Sequence, residues 1–155
     1  MHDPNRKFPA AVAWLGYGGL LPFVGTAVMI RLDPQSADLW SRALIGYGAV
    51  ILSFVGALHW WFAMAAPGLD GGRRDRAYGW SVVPALLAWP AMLLPARQGA
   101  LLLVLGFVLH LVQDHWLARR ATLPGWYLPL RWRLTVVAGL SLLAGASWAI
   151  NVPAT

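Results

Sequence analysis

The chain has 155 residues, the length of one domain, yet 59% of them are hydrophobic and only 12% charged, against roughly 25% charged in globular chains. The absence of cysteine excludes disulfides, thiolate catalysis and cysteine-based metal sites. The net charge of +6 comes from basic residues in short segments beside apolar runs, so anionic lipid headgroups, and not nucleic acid, are the expected partners.

Five stretches lack Asp, Glu, Lys and Arg: Phe8–Ile30, Ala43–Leu69, Ala77–Ala96, Gln98–Gln113 and Leu134–Thr155. A helix crossing the hydrocarbon needs about 20 mostly apolar residues, and the fourth stretch reaches that length only by including Asp114 and His115. The runs are continuous rather than alternating, which favours helices over a membrane barrel. The sequence therefore predicts an all-α integral membrane protein, a single domain of five transmembrane helices near 10–30, 41–65, 78–94, 99–118 and 131–150.

The first run follows a basic start, as a signal peptide would, but it is longer than a signal core and reads as an uncleaved span. Pro22 falls inside it. After it, RLDPQSADLW at 31–40 is a polar connection in which Asp33-Pro34 marks a turn and Ser36 or Asp38 is placed to cap the second helix. The second span carries FVGALHWWFAM at 54–64. On it Gly48, Leu52, Gly56 and His59 fall on one stripe, and small residues at fourfold spacing let backbones approach closely in lipid. GYGGLLPFVG in span one and GYGAVILSFVG in span two echo each other as an inverted repeat would, with one insertion.

The third span follows an inner turn, PGLDGGRRDR, and contains Pro84 and Pro90, each of which removes a backbone donor. LPARQG at 94–99 is a tight outer turn. On the fourth span Gly106, His110, Gln113 and Asp114 share a stripe. His59 and His110 each lie about seven residues, or roughly 10 Å, from the inner ends of their helices, so they fall at one level. Trp14 and Tyr17 reach the same layer, and Trp60, Trp61, Tyr78 and Trp80 crowd nearby. The connection ATLPGWYLPLRWR at 121–133 brings Trp126, Tyr127 and Trp132 to the interface, followed by the fifth span.

With five spans, Arg6, Lys7, Arg73, Arg74, Arg76, Arg119, Arg120, Arg131 and Arg133 share one side, against Arg31, Arg42 and Arg97 on the other. Positive loops stay inside, which places the N-terminus inside and the C-terminus outside.

Ionisable groups within spans face an interior or a wet cavity. His59, Trp60, His110, Asp114, Tyr127, Arg131 and Trp14 form the candidate polar cluster. Its leading reading is a tie between helices, with His59 donating to Asp114 or to a backbone carbonyl and Asp114 pairing with Arg131 or Arg133. A quinone, tetrapyrrole, lipid or proton site is the second reading, and haem or metal ligation by His59 and His110 the third. No cofactor is predicted. There is no glutamate to complete a carboxylate pair, no G-x-S-x-G, no H-E-x-x-H and no P-loop, so a non-enzymatic protein is expected.

GYGGLLPF (16–23), ILSFVGALHW (51–60), VVPALLAWPAMLLP (82–95), Asp114 and LPGWYLPLRWRLT (123–135) occur in an order that resembles the transmembrane protein 69 family of bacteria and mitochondria (domain-of-unknown-function family 3429). The resemblance covers nearly the whole chain and implies a five-helix inner-membrane protein, in a bacterial membrane ahead of a mitochondrial one. The family carries no assigned reaction. It draws attention to Phe54, Gly56, His59, Trp60, Asp114, Trp126, Tyr127 and Arg131, while Trp61 stands where a small residue is expected. The tryptophan-rich sensory proteins are similar in length and composition, but their P-W-W-N-P-P signature is missing. From this, two roles are expected: an accessory or assembly component of a larger energy-converting membrane complex, or a small-molecule binder or carrier using the inner-leaflet pocket.

Overall fold

A computed structural model describes residues 10–65, 71–119 and 123–148. All regular structure among them is helical: α1 (Ala10–Gly18), α2 (Leu21–Leu32), a 3-10 turn (Pro34–Ser36), α3 (Ala37–Ala65), α4 (Gly71–Ala91), α5 (Ala96–Ala118) and α6 (Tyr127–Trp148). The helices form one bundle in which α3 is central, touching α2, α4, α5 and α6.

The first apolar run is two helices rather than one. Pro22 lies in the first turn of α2 and has no N–H to give the carbonyl of Gly18. The backbone tightens ahead of it, with Gly19 N–H donating to Leu15 O at 3.0 Å and Leu20 N–H to Tyr17 O at 3.0 Å. The Tyr47 hydroxyl donates to the Gly19 carbonyl at 2.8 Å, satisfying an acceptor at the break. The matching GYG of α3 runs unbroken through a 29-residue helix, so the sequence echo is not an echo of conformation.

Four helices begin earlier than expected. α3 begins at Ala37 instead of residue 41, α4 at Gly71 instead of 78, α5 at Ala96 instead of 99, and α6 at Tyr127 instead of 131. Charged residues were read as marking helix ends, but arginine is a good helix former, and GGRRDR is simply the polar first turns of α4. Residues 66–70, 120–122 and 149–155 lie outside the described residues, and with them part of each connection expected on the inner side, Arg120 and the end of the expected last span. Arg6 and Lys7 do too.

Within the 31–40 connection, Asp33 caps the 3-10 turn. Its carboxylate accepts from Ser36 N–H at 3.3 Å and from the Trp40 indole N–H at 3.2 Å. Asp38 instead pairs with Arg42 at 2.8 Å on the surface.

The larger apolar core gathers Phe23, Ile30, Leu44, Leu52, Leu103, Phe107 and Leu142, and a smaller one gathers Phe62, Leu117 and Tyr127. Outside, the surface is also apolar: Leu15, Val50, Phe54, Leu86, Leu101 and Leu140 are exposed. A chain that is apolar on both its inside and its outside is solvated by lipid. Ala10–Leu32, Pro34–Met64 and Ala96–Ala118 are each long and apolar enough to cross a membrane.

The predicted small-residue stripe on α3 is a contact surface. A Cβ on Gly56 would lie 2.8 Å from Pro84 Cγ and 3.1 Å from Ser81 O, and one on Gly106 would lie 2.6 Å from Leu52 Cδ2. The Pro84 ring thus sits against bare α3 backbone. Gly56→Ala is expected to destabilise the bundle by about 1–3 kcal/mol through overpacking, while Gly25→Ala, where a Cβ meets nothing within 4 Å, is expected to be neutral or better. Unfolding of both variants in detergent checks this.

The bonds from Ser36 and Trp40 hold the Asp33 carboxyl below the usual carboxylate range. Its bracing of the α2–α3 connection is therefore complete above that range and is lost as pH falls through the lowered value. Hydrogen exchange at Ser36 should accelerate only in strong acid, and in Asp33→Asn that acid step should vanish.

Candidate functional site: a buried polar layer

The two apolar cores are separated by a polar layer. On α3, His59 lies between Val55 of the larger core and Phe62 of the smaller. On α5, His110 and Asp114 lie between Phe107 and Leu117, and on α6, Arg131 and Thr135 lie between Tyr127 and Ala138. His59, His110 and Asp114 are 0% exposed.

Asp114 is the centre. Arg131 Nε donates to its Oδ2 at 2.7 Å, and the Tyr127 hydroxyl donates to its Oδ1 at 3.0 Å. Both donors come from the first turns of α6, at positions four apart, which a helix presents on one face. Arg133, the alternative partner, instead donates to the Tyr17 hydroxyl at 3.0 Å and ties α6 to α1.

The two imidazoles meet as expected from their common depth, with ring centres 4.7 Å apart and nearly perpendicular planes. Their Nε2 atoms stand 3.7 Å (His59) and 3.8 Å (His110) from Asp114 Oδ1. These separations exceed hydrogen-bonding distance, so His59 does not donate to Asp114 as anticipated. Neither nitrogen of His59 has a hydrogen-bond partner among the described residues.

Trp80 of α4, expected only to crowd near this layer, fixes the chemistry of His110. Its indole N–H donates to His110 Nδ1 at 3.1 Å, and the rings lie nearly parallel at 13°. Indole nitrogen is a donor only, so Nδ1 must be bare and the ring proton must sit on Nε2. The sequence signal for Trp80 was its place beside Ser81 and Pro84 on the buried face of α4. His115 repeats the device on the outside, accepting from the Trp132 indole at 3.1 Å while its Nδ1 lies 2.9 Å from Leu111 O.

Two residues expected in the cluster are elsewhere. Trp14 is 81% exposed on α1, a helix with no buried residue. Trp60 is half exposed and packs edge-on against Tyr78 at the α3–α4 rim, with ring centres 5.0 Å apart. Trp61 and Trp89 are exposed as well, so these large rings face outward instead of lining an interior pocket.

One potential ligand atom from each of His59, His110 and Asp114 lies within 4.8 Å of the others, a spacing that invites a metal. The donor set argues against one. Metal-bound imidazole normally keeps a proton on its other nitrogen and donates it to an acceptor, whereas His110 Nδ1 faces a donor and its Nε2 carries the proton. Haem fits no better, since two axial imidazoles on opposite faces of a porphyrin hold their ring centres roughly 6 Å apart, from metal–nitrogen bonds of about 2 Å.

A helical bundle with an apolar exterior and a buried polar layer defines an integral membrane protein of the polytopic helical class. The family model described as protein of unknown function (DUF3429) matches residues 8–147. The chain is 37% identical over 145 residues to transmembrane protein 69 of Xenopus tropicalis, covering 89% of this chain and 54% of that protein. It is 24% identical over 136 residues to transmembrane protein 69 of Mus musculus, covering 87% and 55%. The chain belongs to this family, and it spans about half the length of the curated relatives it matches. No solved structure matches it.

Asp114→Asn leaves the buried Arg131 charge without its counter-ion and is expected to cost about 3–5 kcal/mol, against about 1 kcal/mol for Tyr127→Phe. Detergent unfolding ranks the two. Nitrogen NMR of labelled imidazole should find His110 protonated at Nε2 alone, and Trp80→Phe should release that restriction.

Proposed function

We propose that the chain is a non-enzymatic accessory component of a larger membrane complex, crossing the bilayer five times with its N-terminus inside. The single observation that supports this most is where its polar groups go. The ionisable residues of the interior are gathered in one buried layer around the Asp114–Arg131 ion pair, and the outside offers apolar helix faces.

The third and fifth crossings need an argument, because α4 and α6 open with arginines. In α4 the charges occupy only the first two turns, so Arg73, Arg74 and Arg76 can lie in the headgroup region. In α6, Arg131 is neutralised by Asp114, which removes most of the cost of carrying either charge into lipid. The described basic residues and the lysine and arginines outside that set then lie mainly on one face, the inner one. The location proposed is an inner membrane, bacterial ahead of mitochondrial, and this rests on the family resemblance alone.

The seat for a partner is the outer face of α5 and α6. There Val108, Val112, Trp116, Val136, Gly139 and Leu140 line a groove of about 570 Å³ that ends at His115, Trp132 and Arg119. A Cβ on Gly139 would meet nothing within 4 Å, so the groove has a low floor where another apolar helix can approach closely.

Reporter tags on the two termini should respond from opposite faces of the membrane; the same face for both would end the five-span reading. In mild detergent at native expression, the protein should purify with stoichiometric partners. Gly139→Leu should lose them while keeping its unfolding midpoint. A clean monomer from the unsubstituted chain, or partners unaffected by Gly139→Leu, would overturn the docking role.

A further inference from the structure

A second cavity, of about 110 Å³, lies between the α1–α2 break, α3, α5 and α6. Most of its wall is apolar, with Phe23, Ile51, Phe107 and Ala138 among the lining residues, but Arg131 and Thr135 also line it. Both are more than nine-tenths buried, at 5% and 7% exposed. Arg131 spends its Nε on Asp114, while Arg131 Nη2 and Thr135 Oγ1 have no hydrogen-bond partner among the described residues. They lie four positions apart on α6, hence on one face. Leaving two such groups unsatisfied is costly in an apolar interior.

We propose that this cavity binds a neutral carbonyl headgroup carried on an apolar body. Two donors converging in an apolar chamber call for an acceptor oxygen. Charge counting selects a neutral one: Asp114 and Arg131 already cancel, so a carboxylate would leave a buried net negative charge. At about 110 Å³ the chamber is smaller than the cavity of about 150 Å³ that encloses benzene, so it takes a carbonyl and the edge of one ring, with the remainder in the opening. The rest of the molecule stays outside, because Leu15 and Phe54, which line the cavity, are exposed on the apolar surface. The opening is therefore lateral, toward lipid. A quinone ring and the ester carbonyl of a lipid share this chemistry.

The test uses the full chain in lipid nanodiscs and measures saturable binding of decyl-benzoquinone, methyl oleate and oleate. Either neutral probe should bind, and which one binds identifies the source. Thr135→Val, which removes the hydroxyl at constant shape, should weaken binding by about tenfold, the worth of one hydrogen bond. Thr135→Ser should restore it. Ala138→Leu, which fills the chamber, should abolish it without involving Arg131. The proposal is overturned if neither neutral probe saturates, if oleate binds more tightly than its methyl ester, or if Thr135→Val binds as the unsubstituted chain does.

Discussion

The bundle is organised around one ion pair, Asp114 with Arg131, held at 2.7 Å with both side chains out of solvent. Neither charge is tolerable alone at that depth. Together they make a neutral unit, and the unit sets several other placements. It fixes the rotation of α6 against α5, and it brings Tyr127 to the second carboxylate oxygen. It also gives the polar layer a place between the two apolar cores. Lipid-exposed helices gain little from burying apolar surface against one another, since lipid tails are as apolar as leucine. Directional polar contacts therefore specify register here more than in a soluble core.

Packing supplies what the ion pair does not. α3 can touch four neighbours because its buried stripe is low: Gly48, Gly56 and the small Ala49 let other helices approach its backbone. Pro84 fits against Gly56, and Leu52 fits against Gly106. The polar layer depends on these approaches, since His59 and His110 come within 4.7 Å only if α3 and α5 are close. Trp80 then adds a chemical constraint, holding His110 in one tautomer.

Much of this was legible in the sequence because membrane composition is a coarse and strong signal. Charge-free runs located the helical segments, and counting residues from their inner ends put His59 and His110 at one level. The stripe through Gly48, Leu52, Gly56 and His59 followed from helix periodicity. Facing was harder. Trp14 and Trp60 sit at the right depth but on the wrong side, and depth follows from position along a helix whereas facing depends on which neighbours are present. Trp80 could be placed near the layer, but its role could not be read, because a donor to an imidazole has no local pattern. The break at Gly18–Leu20 was missed because Pro22 was read as lying inside one continuous span, without the Tyr47 hydroxyl that stabilises an interruption there.

Asp114 and Arg131 are separated by 17 positions, and that ordering has a bearing on biogenesis. A ribosome delivers the acid first. On the five-span reading, α5 emerges carrying an unneutralised carboxylate, and its counter-ion is still unmade. Stepwise release of single helices from the translocon would strand that charge in hydrocarbon. Concerted release of α5 and α6 as a helical hairpin avoids this, so the last two spans are expected to enter the bilayer as one unit.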